Sequence, residues 1–145
     1  MLQKTDIAIS KIQSIIQNID EILLGTKSES TLLDKIIDHI SGGKHLRPIL
    51  VVASARSLGF DQEDILHNLA CIVEYIHIAS LLHDDVIDEA KKRRGKESVN
   101  SLYGNRVAIM SGDYLYSLAY NQVLDIDINI AKEISKAAYN LALGE

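Results

Sequence analysis

The stretch Glu74–Gly95 reads EYIHIASLLHDDVIDEAKKRRG. Most of it has the make-up of one buried helix, yet it holds Asp84, Asp85 and Asp88, His77 and His83, and the adjacent pair Arg93 and Arg94. On a helix Asp84 and Asp88 are four apart, so their side chains share a face at about 5–6 Å. Carboxylates that close repel unless a cation lies between them, and hard divalent ions such as magnesium take oxygen ligands of this kind. His77 and Ser80 extend the same stripe backwards from Asp84. Asp84 and Asp85 sit between the apolar run Ile76–Leu82 and Val86-Ile87, so at least one of them faces inward, where a carboxylate needs a partner or a metal. The expectation is a magnesium site on a helix, with cations beyond it for an anionic ligand.

Plainer readings stand beside this one. Asp88 and Glu89 could be a solvated face offset by Lys91 and Lys92. Arg93 and Arg94 could be the last-turn cations of a helix stopped by Gly95. His83 is either a support for the aspartates or simply packed. An EF-hand is excluded, because the loop spacing and its glycine are missing.

Upstream lies GGKHLRP, Gly42–Pro48. Its plain reading is a glycine stop followed by a new helix, with Lys44, His45 and Arg47 solvated. Its functional reading is a glycine turn that lets the backbone approach a phosphate, with Lys44 as a point charge and Arg47 as a bidentate fork. Cations at a helix start are unfavourable for the helix itself, which favours a bound anion.

Around these two stretches the three-and-four spacing of apolar residues predicts helices throughout. The first runs from Ile7 to Leu23 with Gly25 as its stop, the second covers Leu32 to Ile40, and the third runs from Pro48 to Leu58. The fourth extends about 30 residues from an N-cap at Asp61 to Gly95. A fifth covers Val107 to Leu124, and a last one, capped by Asp127 or Asn129, continues through Leu143. No stretch reads as a strand. The fold expected is all-α, an antiparallel bundle of about six helices forming one domain over residues 1–145.

With 47% apolar residues the chain can build a real core. A net charge of −5 argues against nucleic acid as the main partner. The single Cys71 rules out an intrachain disulfide or a cysteine-rich zinc site and reads as a small buried side chain. The N-terminus, MLQKTDIAIS, has neither a signal-peptide pattern nor a transmembrane run, so a cytoplasmic protein is expected.

Taken together, these residues resemble the trans-isoprenyl (polyprenyl) diphosphate synthases. GGKHLRP is similar to that family's GGKxxRP. HIASLLHDDVIDEAKKRRGKESVN, from His77 to Asn100, is similar to its first aspartate-rich motif, DDxxD, with the following RRG and VN, and MSGDYLY, Met110 to Tyr116, to the stretch beyond. The likeness is greatest to medium- and long-chain members such as the octaprenyl diphosphate synthases. It implies an isoprenoid-synthase helical bundle, usually a homodimer, that condenses isopentenyl diphosphate with an allylic diphosphate using Mg2+.

The resemblance implies that Asp84 and Asp88, with Asp85 nearby, bind the magnesium that holds the allylic diphosphate, and that Arg93 contacts that diphosphate. Lys44, Arg47, His77 and Arg94 would bind the diphosphate of isopentenyl diphosphate. Ala79 and Ser80 are small where short-chain members tend to carry an aromatic, which implies a medium or long product.

One departure matters. Family members are longer and carry a second aspartate-rich motif on a later helix; here there is only one, and Asp125-Ile126-Asp127 does not replace it. The bundle is therefore expected to be incomplete, the N-terminal half of such an enzyme and inactive alone. The alternatives are a subunit of a split or heteromeric synthase, and a non-catalytic helical interaction module that retains the motif.

Overall fold

The structure is a computed structural model that describes residues 14, 15, 17, 21 and 30–144 of the chain. Most of the expected first helix, with Gly25, lies outside the described residues. Its Ile15 joins the core.

Among the described residues the elements are α1 (Thr31–Ile40), α2 (Leu46–Ser57), α3 (Glu63–Ile87), β1 (Lys92–Arg93), β2 (Lys96–Glu97), α4 (Val99–Tyr103), α5 (Asn105–Ile126) and α6 (Ile128–Gly144). The all-α expectation holds, with a two-strand hairpin added. Strands of two residues are too short to leave a period in the sequence.

Among the described residues three helix starts carry a side-chain cap, whereas α3, expected to be capped by Asp61, has Gln62 at that position and no side-chain capping bond. The Ser30 hydroxyl accepts from the Leu33 N–H at 3.5 Å, and Ser98 likewise caps α4 by accepting from Ser101 at 3.4 Å. Of the two residues proposed to cap the last helix, Asp127 is the one that does so: its Oδ1 accepts from the Asn129 and Ile130 N–H groups at 2.6 and 3.2 Å.

The 25-residue α3 is the central element, packed chiefly against α5 and α2. It buries Leu66, Ala70, Ile72, Tyr75, Ala79 and Leu82, which meet Val52 of α2 and Leu115, Ala119 and Val123 of α5 in one core. By length and apolarity α3 could cross a membrane, but half of its apolar window is buried inside the fold. That apolarity is what a core helix requires.

The expected continuous helix to Gly95 is corrected here. Helix α3 stops at Ile87, with Asp88 as its C-cap and Glu89 in the left-handed region at φ 50°. The Ala90 N–H reaches back to the Asp85 carbonyl at 2.9 Å and the Glu89 N–H to that of Val86 at 3.3 Å, a Schellman closure. Glutamate stands at the position that glycine usually fills. Arg94 and Gly95, expected as the helix stop, instead form the hairpin turn, with φ 51° and 81°. Two central residues with positive φ are what a two-residue type I′ turn requires.

Candidate functional site

The site is built where the end of α3 meets the hairpin and the glycine loop. Asp85 is the inward-facing member of the aspartate pair, 3% exposed. Arg93 donates from Nε to both of its oxygens at 2.9 and 2.8 Å, and its Nη2 lies 2.7 Å from Oδ1 as an ion pair. The carboxylate in turn holds the guanidinium of Arg93 more firmly protonated than usual, the hydrogen bond to Asp85 being the main cause. Asp85 is therefore paired within the protein. Arg93, expected at a diphosphate, is bound to Asp85 here.

Asn100 locks this corner. Its amide donates to the carbonyls of Asp85 and Ala90, each at 3.0 Å, and the Ser98 hydroxyl donates to the Ala90 carbonyl at 2.6 Å. These bonds satisfy acceptors that the end of α3 leaves without helical partners. The Asn100 Oδ1 is buried with no hydrogen-bond partner.

The glycine loop joins from the other side. Arg94 Nη1 donates to the Gly42 carbonyl at 2.8 Å, tying residues 52 positions apart. A Cβ on Gly43 would lie 2.6 Å from that same nitrogen. A side chain at 43 would displace the flexible Arg94 head from the Gly42 carbonyl, and the φ of 150° is one that residues with a Cβ rarely adopt. Arg47 Nη1 donates to His77 Nε2 at 3.0 Å. Burial, then the nearby Arg47, pushes His77 below its usual imidazole range, which keeps it neutral and able to accept this bond. Lys44 is exposed in the same loop. The four side chains expected at isopentenyl diphosphate are thus carried on one loop (Lys44), two helices (Arg47 on α2, His77 on α3) and one hairpin (Arg94).

Asp84 and Asp88 face differently. Asp84 is half-buried and Asp88 exposed, and neither carboxylate makes a hydrogen bond or ion pair among the described residues. Their negative charge is felt by Arg93, and that of Asp84 by Tyr116 on α5, whose phenol is held above its usual range mainly by burial. No group of three or more His, Cys, Asp or Glu side chains that could hold a metal occurs among the described residues. Two carboxylates alone suit magnesium, which keeps several waters and completes its shell with phosphate oxygens.

The remaining candidates lie along α3. Ala79 is wholly buried in the core, whereas Ser80 is half-buried with its hydroxyl donating to the His77 carbonyl at 2.8 Å. His83 packs on α5: its Nε2 lies 3.2 Å from the Ile109 carbonyl and 3.4 Å from Asp113 Oδ1. A Cβ on Gly112 would come within 2.3 Å of it, so that glycine admits the ring.

The plain reading of GGKHLRP does not hold for His45. His45, read as solvated, is buried, with Nδ1 3.1 Å from Oε1 of the equally buried Glu74. A glutamate in an apolar helix run was the available signal, since a buried carboxylate needs a partner. Beneath the loop lies a cavity of about 280 Å³ lined by Ile40, Gly43, Ile78, Leu82, Arg94 and Val99 among others.

Residues 30–145 match the family model described as Polyprenyl synthetase. The octaprenyl diphosphate synthase of Haemophilus influenzae is 38% identical over 137 residues, covering 92% of this chain and 40% of that protein. Solanesyl diphosphate synthase 1 of Arabidopsis thaliana is 38% identical over 134 residues, covering 87% of this chain and 33% of its own length. Among solved structures, a decaprenyl diphosphate synthase from Rhodobacter capsulatus superposes with a TM-score of 0.84 at 29% identity, covering 98% of this chain and 44% of that one. An octaprenyl pyrophosphate synthase from Helicobacter pylori gives 0.79 at 36% identity, covering 93% and 44%. The chain therefore spans less than half the length of these relatives, and by its matched residues and its fold it belongs to the polyprenyl synthetase family.

Proposed function

We propose that residues 1–145 are one domain, the N-terminal part of a Mg2+-dependent polyprenyl diphosphate synthase, a cytoplasmic homodimeric prenyltransferase that joins isopentenyl diphosphate to an allylic diphosphate. The observation that carries this reading is the gathering of Arg47, His77 and Arg94, with Lys44 in the intervening loop, along the C-terminal half of α3, through the Arg94–Gly42 and Arg47–His77 contacts. Guanidinium forks on neutral acceptors exchange them readily for phosphate oxygens, which offer charge as well as geometry. In this reading Lys44, Arg47 and Arg94 bind the diphosphate of isopentenyl diphosphate and His77 donates or accepts a neutral hydrogen bond beside them.

Asp84 and Asp88 would hold the magnesium, with Asp85 setting Arg93 beside them as the contact to the allylic diphosphate. The metal, when bound, supplies positive charge that stabilises a departing diphosphate. The protein's own share is to orient the two diphosphates and to exclude water from the carbocation. Ala79 and Ser80 border the space for the growing chain. Ser80 is the one partly open, so a medium or long product is read chiefly from it.

A single aspartate-rich motif leaves the catalytic set incomplete, so the chain alone is inactive in this reading. A second arrangement, one subunit of a split synthase, is favoured by the uncovered apolar side chains of α6, where Tyr139, Leu141 and Leu143 are exposed. The decisive assay measures condensation of isopentenyl diphosphate with radiolabelled allylic diphosphate and magnesium. The chain is tested alone and with a separately expressed fragment carrying a second aspartate-rich motif. We expect no product alone and medium or long polyprenyl diphosphate with the fragment. Product from the chain alone overturns the inactivity, only fifteen-carbon product overturns the chain-length reading, and no product in either arm favours a non-catalytic module.

A further inference from the structure

We propose that Glu74 is a positioning residue for the cationic loop, setting through His45 where Lys44 and Arg47 stand. This rests on the reading of that loop as a diphosphate site. Glu74 and His45 are each 4% exposed, and their side chains meet at 3.1 Å. No role described above uses either one.

The backbone shows what the contact accomplishes. His45 is the N-cap of α2, makes no side-chain capping bond, and stands at φ 43°. Residues with a Cβ avoid that left-handed region unless the surroundings impose it. Here the buried ring is the anchor: with it turned inward, Lys44, Leu46 and Arg47 are all exposed. Glu74 and His77 are three apart, so a single face of α3 takes both the His45 ring and the Arg47 guanidinium.

The loop from Gly42 to Arg47 is tied by Arg94 to Gly42, by Arg47 to His77, and by His45 to Glu74. The first two are made by side chains that the proposed diphosphate would recruit. The His45–Glu74 tie uses none of them, so it persists when an anion arrives and fixes the loop in both states. The burial of this carboxylate and imidazole also makes the tie hard to break, since parting them costs a contact shielded from water.

The test uses the full chain, inorganic pyrophosphate as the probe, calorimetric titration, and amide NMR spectra without ligand. Glu74→Ala should move the amide signals of Gly42 to Arg47 and weaken pyrophosphate binding about tenfold, the effect of one lost buried hydrogen bond. Glu74→Gln keeps an acceptor oxygen and should return the affinity to within about twofold of the parent. Leu66→Ala, a core change in the same helix away from the loop, lowers stability but should leave the affinity unchanged. Should Glu74→Ala not fold, His45→Gly serves in its place. Glycine accepts the left-handed backbone, so loop signals that still move there trace to the ring.

Amide signals for the loop that stay at their parent positions in Glu74→Ala or His45→Gly overturn the proposal. So does a loss of affinity in Leu66→Ala as large as that in Glu74→Ala. A parent chain that does not bind pyrophosphate overturns the diphosphate reading instead, and the ligand-free amide signals still decide the role of Glu74.

Discussion

Charge is handled in opposite ways on the two sides of the α3 terminus. Toward the hairpin and glycine loop, Arg93 spans Asp85, Arg47 rests on neutral His77, and Arg94 rests on the Gly42 carbonyl. Along the other stripe, Asp84 and Asp88 make no side-chain hydrogen bond or ion pair among the described residues. The contrast follows from donor chemistry. A guanidinium carries five donors and finds acceptors anywhere along a backbone, whereas two carboxylates have only acceptors and cannot satisfy each other. The cationic side can therefore be organised before any ligand arrives. The anionic side has no such ties among the described residues.

The largest effect should come from breaking the organised side. Arg93→Ala leaves Asp85 buried without its partner, and a loss of about 3 kcal/mol is expected, close to ten degrees in Tm for a chain of this size. Adding Asp85→Asn should recover much of that loss, because the uncompensated charge is then gone; the double-mutant cycle in urea measures the coupling. A cost for Arg93→Ala below about 0.5 kcal/mol would make this an ordinary surface pair and erase the distinction between the two sides.

A smaller effect should appear on acidification. His77 is neutral in the folded chain because burial and Arg47 depress its affinity for protons, with Glu74 opposing. The unfolded chain takes up that proton at the ordinary value of 6.5. Unfolded molecules thus bind more protons as the pH falls through and below that value, and stability drops. Above it the contribution is fully present. Since the ring is only half-buried, we expect a Tm change of no more than a few degrees between about pH 7.5 and 5, read against His77→Gln, which should lack this component. A parent and variant with parallel pH profiles would show that the Arg47–His77 contact is not the protonation-sensitive tie.

How legible all this was depended on the range of the signal. Periodicity in the apolar residues marks α1, α2 and α5 within a few positions, and the bracketing of Asp84-Asp85 by apolar runs shows that one of them turns inward. It does not mark the end of α3, because Glu89 occupies the left-handed position where a glycine would have announced the stop. Gly95 drew the expected helix through a hairpin whose strands are too short to have a pattern. His45 was misread for another reason: its neighbours Lys44 and Arg47 are exposed cations, and its partner Glu74 lies 29 positions away. The trace of that pairing lies at Glu74, a carboxylate in an apolar helix run, and not in the loop whose outward-facing side chains it helps decide.

The smallest change in stability, and the sharpest separation of the two sides, should come from the open stripe. With nothing bound, Asp84→Asn and Asp88→Asn remove a like-charge repulsion at (i, i+4), so each should leave stability unchanged or raise it by about 0.2–0.5 kcal/mol. The cation response should go the other way. Magnesium with pyrophosphate should raise the Tm of the parent chain by an amount that grows with concentration, because a ligand of the folded state stabilises by mass action. The double Asn variant should show none of that rise while keeping its pyrophosphate affinity in metal-free buffer, where Lys44, Arg47 and Arg94 act alone. Stability lost on either single substitution would mean that Asp84 or Asp88 holds the fold together as Asp85 does. The stripe would then be structural, and the case for a cation between its carboxylates would fall with it.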